Sequence, residues 1–121
     1  MSKRNVVHVE IPAANVEAAG KFYQDLFGWK MQHMADFNYT MWEDESGSGG
    51  GFPEVSDENP VGQVLVYIDS EDIDADLKNV EKFGGKTVRA KTEIPGMGWY
   101  AVFKDPTGNV LAIFTGMPHD H

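Results

Sequence analysis

Cysteine is absent from the 121-residue sequence, which excludes disulfides, thiolate catalysis and Cys-ligated metals. Basic residues are few: ten Lys and Arg stand against nineteen Asp and Glu, for a formal net charge of −9. Because nucleic acids and anionic membrane surfaces are bound through clustered Lys and Arg, this charge argues against both as partners. An acidic surplus of this kind does favour solubility.

Long hydrophobic runs are also missing. No stretch approaches the roughly 20 apolar residues of a membrane span, and the N-terminal "MSKRNVVHVEIP" has no apolar run of signal-peptide length. We therefore expect a cytoplasmic protein. The hydrophobic content of 41% and the charged content of 24% are ordinary for a globular domain. The length predicts a single domain with a proper core.

The chain contains an internal repeat. "VVHVEIPAANVEAAGKFYQDLFGW" indicates an alternating strand, then a helix that begins after Asn15 and ends at Gly28. "QVLVYIDSEDIDADLKNVEKFGGK", from Gln63, has the same plan. A shift of 57 superposes the apolar strand positions and the closing glycine, in the pairs Val7 and Val64, Val9 and Val66, Ile11 and Ile68, and Gly28 and Gly85.

The segments after each helix also match. Strand-like runs occur at 30–34, 37–43, 86–92 and 98–104, and "YTMWEDESG" resembles "YAVFKDPTG" at a shift of 61. Each half is therefore predicted to be a strand, a helix and three strands. We place module one at about residues 5–52, a polar linker with prolines at 53–62, and module two at about 63–116. The tail "GMPHDH" is expected to be frayed.

Two such modules, with "FYQDLFGW" closing the first helix and "DPTGNVLAIF" on the last strand, resemble the vicinal oxygen chelate superfamily. That superfamily contains glyoxalase I, extradiol dioxygenases and bleomycin-resistance proteins. The stretch "IPGMGWYAVFKDPTGNVLAIF" is most similar to its small glyoxalase-related members. The resemblance implies an α+β fold in which two βαβββ modules form a cupped mixed sheet with the helices outside. It does not imply one activity, because a single fold hosts many chemistries.

The resemblance also implies where a metal ion would bind. In metal-dependent members the ligands come from the first and last strands of each module and are typically His and Glu. The matching positions here are His8, Gly51, Leu65 and Ala112. One histidine falls short of the three or four ligands of a catalytic metal site. We expect no metal and no other cofactor. The alternative is a divalent ion in a rebuilt site that uses His8 and Glu10.

Strand alternation sorts the remaining candidates. If Val7, Val9 and Ile11 pack against the helix, then His8 and Glu10 face the cup. The turn "IPGMGW" would place Trp99 at its mouth. An apolar and aromatic wall with a few polar groups is typical of small-molecule sites. The predicted ligand-binding residues are His8, Glu10, Tyr39, Gln63, Tyr67, Trp99 and Tyr100, and no catalytic residue is assigned.

The glycine run "SGSGGGF", residues 46–52, has two interpretations. The favoured one is a flexible hairpin tip. The other is a strand whose backbone approaches a ligand or partner closely.

Three functions stay open at this point. The preferred one is a protein that binds a small apolar or aromatic molecule without a metal. The second is a metal-dependent enzyme, either a lyase like lactoylglutathione lyase or a dioxygenase, so whether the protein is an enzyme is undecided. The third is a dimerisation module. We expect a homodimer in any case, because relatives of this size commonly pair and exposed strand edges need cover.

Overall fold

A computed structural model of the chain describes residues 3–117. Module one contains β1 (Val6–Glu10), α1 (Val16–Phe27), β2 (Lys30–Met34), β3 (Tyr39–Glu43) and β4 (Gly49–Phe52), with a short 3₁₀ helix (Ala35–Phe37) between β2 and β3. Module two contains β5 (Leu65–Asp69), α2 (Ile73–Lys82), β6 (Lys86–Ile94), β7 (Gly98–Lys104) and β8 (Val110–Gly116). The predicted α+β class and the two βαβββ modules are confirmed.

Both modules use the same strand order. In module one the order is β2-β3-β4-β1, and β1 runs parallel to β4 while the other pairs are antiparallel. In module two the order is β6-β7-β8-β5, and β5 runs parallel to β8. By their contacts, residues 7–66 form one compact unit, and residues 67–117 form the other together with residues 3–6.

The helix ends are set by local chemistry, as the sequence indicates. The side chain of Asn15 accepts a hydrogen bond from the Ala18 amide at 3.0 Å, and Asp72 does the same for Ala75 at the start of α2. Gly28 closes α1 in the left-handed conformation, with φ of 76°. Neither helix is long and apolar enough to cross a bilayer within residues 3–117.

Each module packs its helix on one face of its own strands. In module one, Trp42 and Phe52 are buried beneath α1, and the rings of Trp29 and Trp42 stack with centroids 4.0 Å apart. In module two, Ile73 and Leu77 of α2 pack against Ile113. Other apolar side chains of the helices are exposed, namely Phe22, Leu26 and Phe27 on α1 and Phe83 after α2.

Each module has the same kind of hairpin turn between its last two strands, led by Asp44 in module one and by Asp105 in module two. The Asp44 carboxylate accepts the amides of Ser46 and Ser48, and Asp105 accepts those of Thr107 and Asn109. The Ser46 hydroxyl also donates to Asp44. Hydrogen bonds lower the pKa of both carboxyls, chiefly that of the Ser46 hydroxyl at Asp44 and that of the Asn109 amide at Asp105. The similar sequences of the two turns therefore make equivalent hydrogen bonds in the two modules.

The position of the Asp44 turn shows that the favoured interpretation of residues 46–52, a flexible hairpin tip, is wrong for most of the glycines. The hairpin tip is the segment led by Asp44, and residues 49–52 form the strand β4, paired with β3 on one side and β1 on the other. A flexible tip was therefore wrong for Gly49, Gly50 and Gly51. The other interpretation, a strand with a closely approaching backbone, fits these glycines.

The N-terminal segment is fastened to module two. The Arg4 guanidinium donates to both oxygens of the Asp76 carboxylate, at 2.5 and 2.9 Å, and the Ser70 hydroxyl donates to the same carboxylate at 2.6 Å. The Arg4 bond, followed by that of Ser70, holds the pKa of Asp76 below its ordinary value. This contact explains why residues before Val7 belong with the second compact unit.

The C-terminal segment remains ordered further than expected. Gly116 is the last residue of β8, and the Met117 amide donates to the carbonyl of Met97 at 3.0 Å. The rest of the tail predicted to fray, residues 118–121, lies outside the described residues.

Candidate functional site

In module one, we call the sheet face opposite α1 the inner face. Along β1, Val9 packs with the core under the helix, as does Ile11 just beyond the strand. Side chains alternate along a strand, so His8 and Glu10 lie on the inner face, as predicted. Their side chains are 23% and 13% exposed. Val7 is 43% exposed, so its predicted packing against the helix is wrong.

The Tyr39 hydroxyl joins these two side chains. It donates to Glu10 Oε2 at 2.6 Å, and His8 Nε2 lies 2.9 Å from the same hydroxyl oxygen. Since the single proton of Tyr39 goes to Glu10, the tyrosine oxygen accepts at His8, which assigns a proton to Nε2. The three side chains form a hydrogen-bonded chain that ends on a carboxylate, and we call it the His8–Tyr39–Glu10 triad.

Gly51 makes this arrangement possible. It lies opposite Glu10 on the parallel side of β4 and opposite Met41 on the antiparallel side. A Cβ built on Gly51 would overlap the Tyr39 hydroxyl and ring. Tyr39 therefore crosses β4 through space that any side chain at position 51 would fill. Gly51 is one of the four positions at which the resemblance implies a metal ligand.

The donor set does not fit a divalent ion. Of the other implied ligand positions, Leu65 is 3% exposed and Ala112 is fully buried, and neither has a coordinating atom. Within residues 3–117, no three His, Cys, Asp or Glu side chains come close enough to hold a metal. His8 Nε2 and Glu10 Oε2 are 3.8 Å apart, but the Tyr39 hydroxyl is hydrogen-bonded to both. The atoms that a rebuilt metal site would use as ligands are therefore already engaged in hydrogen bonds with Tyr39.

Two of the predicted site residues take other places. Gln63 precedes β5, and its side-chain amide donates to the Glu58 carbonyl at 3.1 Å. It ties down the linker instead of extending the strand alternation. Trp99 packs against the core of α2, with Lys91 Nζ 5.3 Å from its ring centroid. The prediction that Trp99 lines a ligand site is therefore corrected, because odd positions of β7 face the helix.

Tyr67 and Tyr100 share the face of module two that is opposite α2. Tyr67 pairs with Ala112, and Tyr100 pairs with Phe114 on the other side of β8. The two tyrosine rings are 6.4 Å apart between centroids and tilted by 46°. Arg89 and Thr92 of β6 share this face, because they pair with Val102 and Tyr100.

Sequence reasoning named all three triad residues but missed the bonds that join them. It also missed the part that Gly51 plays. The available signal was the glycine run itself, because a strand interior with three glycines indicates that something approaches it closely.

An open groove lies elsewhere on module one, between α1 and the strands β2 and β3. Its volume is about 810 Å³, and it is bordered by exposed side chains of both charges, among them Glu17, Lys21 and Asp25. Lys21 and Asp25 pair with each other at 2.7 Å. His33 also borders it and contacts the Thr40 hydroxyl at 3.0 Å. The groove contains no member of the triad.

Comparison with known proteins places the chain in a family. Residues 5–113 match the Glyoxalase/Bleomycin resistance protein/Dioxygenase superfamily, and the chain belongs to it. It is 34% identical over 115 residues to a glyoxylase-like domain-containing protein of Didymella fabae, covering 88% of this chain and 90% of that one.

Two further similarities concern a longer relative and a solved structure. The anthracycline biosynthesis protein DnrV of Streptomyces peucetius is 25% identical over 87% of this chain, which spans only 44% of that relative. Methylmalonyl-CoA epimerase of Mycobacterium tuberculosis has the same fold, with a TM-score of 0.71 at 16% identity, over 98% of this chain and 93% of that one. At this identity the likeness concerns the fold alone.

Proposed function

We propose that this protein binds a small apolar or aromatic molecule on the inner face of module one, without a metal ion. The observation that carries the proposal is the position of the Tyr39 hydroxyl, hydrogen-bonded to both His8 and Glu10. These contacts use the atoms through which a metal would be held. Met41, half-buried on the same face of β3, adds an adaptable apolar surface.

The composition of the face supports this kind of ligand. Small-molecule sites combine an apolar wall with a few convergent polar groups, and the triad supplies such a group. The family contains proteins of several activities, so membership alone does not select one. The relative named for anthracycline biosynthesis agrees with a role in handling small molecules, although it is a longer protein.

The proposal is tested by two measurements on tag-free protein. Metal analysis is expected to find far less than one divalent ion per chain. Melting temperatures are then measured with small aromatic compounds, with and without EDTA. Because a ligand that binds the native state raises stability by mass action, some of them should raise the melting temperature equally in both buffers.

Either of two results would overturn it. A stoichiometric divalent ion would favour the metal-dependent lyase or dioxygenase, with His8 and Glu10 as ligands. Failure of every aromatic compound to stabilise the protein would favour the dimerisation module.

We also propose that the protein is a homodimer. Phe22, Leu26 and Phe27 of α1 are 57 to 58% exposed, which is unusual for three large apolar side chains on one helix. Light scattering at micromolar concentration is expected to give twice the mass of the chain. A monomer would contradict this.

A further inference from the structure

The open groove of module one has a glycine in its floor. Gly20 is buried in the middle of α1, where glycine is less favourable than alanine because its backbone loses more freedom on folding. Packing does not require glycine at this position: a Cβ built on Gly20 would meet only the Met31 side chain, at the ordinary contact distances of 3.5 and 3.6 Å. Both residues border the groove. The missing methyl group therefore deepens the groove and weakens the helix, a conflict that is common where a binding site limits stability.

The charges that border the groove do not balance. Lys21 and Asp25 of α1 form an ion pair and together add no net charge. Glu17, also on α1, and Glu54, beyond β4, border the groove as well. Neither of these two carboxylates has a hydrogen bond or an ion pair in the part of the chain that the structure describes. The groove thus has two negative charges that no described side chain neutralises.

The two carboxylates lie at the same end of the groove. Glu17 is in the first turn of α1, and Glu54 forms a backbone bridge with Ala13, shortly before that helix begins. Since the whole chain also has a net charge of −9, this end favours a cation and disfavours an anion. Val16 and Met31 add apolar surface. The volume of about 810 Å³ is within the range of small-molecule sites.

We propose that the groove along α1 is a second binding site, and that its ligand is a small primary amine with a compact apolar group. The ammonium group is bound by Glu17 and Glu54, and the apolar group lies over Gly20 against Met31. The groove shares no residue with the inner face, so this inference goes beyond the proposed function and does not depend on it.

The experiment compares three probes with one saturated ring: cyclohexylmethylamine, cyclohexylmethanol and cyclohexanecarboxylate. Dissociation constants are measured by titration followed in two-dimensional NMR spectra. An exposed ion pair is weak, but two carboxylates act on the same ammonium group, so the amine is expected to bind about fivefold more tightly than the alcohol at low salt. The carboxylate should bind more weakly than the alcohol. The preference for the amine should shrink at high salt, because salt screens exposed charges.

Variants locate the contacts. Glu17→Gln and Glu54→Gln should each reduce the preference for the amine, and the double variant should bind amine and alcohol alike. Gly20→Ala should raise the melting temperature and weaken the binding of both probes, because its methyl group fills the floor. Glu45→Gln removes an exposed carboxylate of the Asp44 turn, away from the groove, and is the matched control that should bind like the wild type.

The results that would overturn the inference are separate from those that test the proposed function. Equal binding of amine and alcohol by wild type, or an unchanged preference in the double glutamine variant, overturns it. Absence of binding by all three probes does so as well, and stabilisation by aromatic compounds on the inner face would stand in either case. Both glutamates are exposed, so their variants are expected to fold and to decide the matter even if Gly20→Ala does not fold.

Discussion

The two modules keep the same scaffold and differ in what the scaffold presents. At matched positions of the repeat, module one has His8, Glu10, Tyr39 and Gly51, and module two has Leu65, Tyr67, Tyr100 and Ala112. The turn led by Asp44 or Asp105 is the same in both, down to the bonds it makes. One repeat thus bears a polar hydrogen-bonded chain where the other bears apolar and aromatic groups.

The tyrosines at matching positions of the repeat, Tyr39 and Tyr100, lie next to different residues. Tyr39 crosses Gly51 and reaches Glu10, whereas Tyr100 lies on a face whose corresponding position is Ala112. Ala112 is fully buried and has the Cβ that Gly51 lacks, whereas at Gly51 this place is taken by Tyr39. Tyr39 thus passes through the place of the missing side chain, whereas Tyr100 lies beside the Tyr67 ring of β5, with centroids 6.4 Å apart.

The largest effect is expected when a glycine of β4 in module one is given a side chain, as module two has at the matching position. Gly50 corresponds to Leu111, yet a Cβ on Gly50 would overlap the backbone carbonyl of Val9. Backbone cannot move aside cheaply, so Gly50→Ala is expected to destabilise the protein by about 3 kcal/mol. Urea unfolding measures it. Gly116→Ala, at a glycine whose nearest such contact is 3.7 Å, is the control and should change little. Similar stability of the two variants would contradict the β1–β4 geometry.

Gly51→Ala tests the triad in the same way and should have the second largest effect. The new methyl group displaces Tyr39, breaking its bond to Glu10 and costing about 2 kcal/mol. Tyr39→Phe removes the same bond by another route. The two changes should therefore be strongly non-additive in a double-mutant cycle by thermal unfolding. Tyr23→Phe, whose ring stacks on Trp29, is the control. Additive costs would mean that Gly51 and Tyr39 act independently.

The Arg4–Asp76 ion pair, which fastens the N-terminal segment to module two, extends the comparison to pH. The lowered pKa of Asp76 means that its stabilisation is complete above the unfolded value of 3.8 and is lost as pH falls through the folded value. Arg4 is exposed, so Arg4→Ala should cost about 1 kcal/mol at pH 7. Unfolding measured from pH 7 to pH 2 should show wild type losing its advantage over Arg4→Ala in acid. Parallel curves would disprove the linkage.

The smallest effect is expected where the modules are most alike. Asp44→Asn and Asp105→Asn each weaken a turn in which the charged oxygen accepts two amides. Both aspartates are partly exposed and lie in surface turns, so each substitution should lower the melting temperature slightly and to a similar extent. A clear difference between the two would show that the turns are not energetically equivalent.

Sequence pattern predicted most of the helices and strands but not β4, because a glycine run favours a hairpin tip over a strand. The alternating strands, the two helices, the ends of α1 and the repeat follow from local rules: side chains alternate on strands, and Asn15 and Gly28 bond or bend next to their own positions. The face of His8 and Glu10 follows from the same alternation, since a strand has only two faces.

Local rules could not decide contacts between strands that are distant in the sequence. The bonds of Tyr39 to His8 and Glu10 span 31 and 29 residues. They exist because pairing of β3 with β4 and of β4 with β1 brings Tyr39 across Gly51. Trp99 and Gln63 were misplaced for related reasons: register decides which face of β7 is buried, and Gln63 bonds to the linker before its strand begins. Apart from β4, the sequence pattern determined which residues form strands and helices. The tertiary structure decided which side chains meet, because the register that sets Gly51 between Glu10 and Met41 is a property of the assembled sheet.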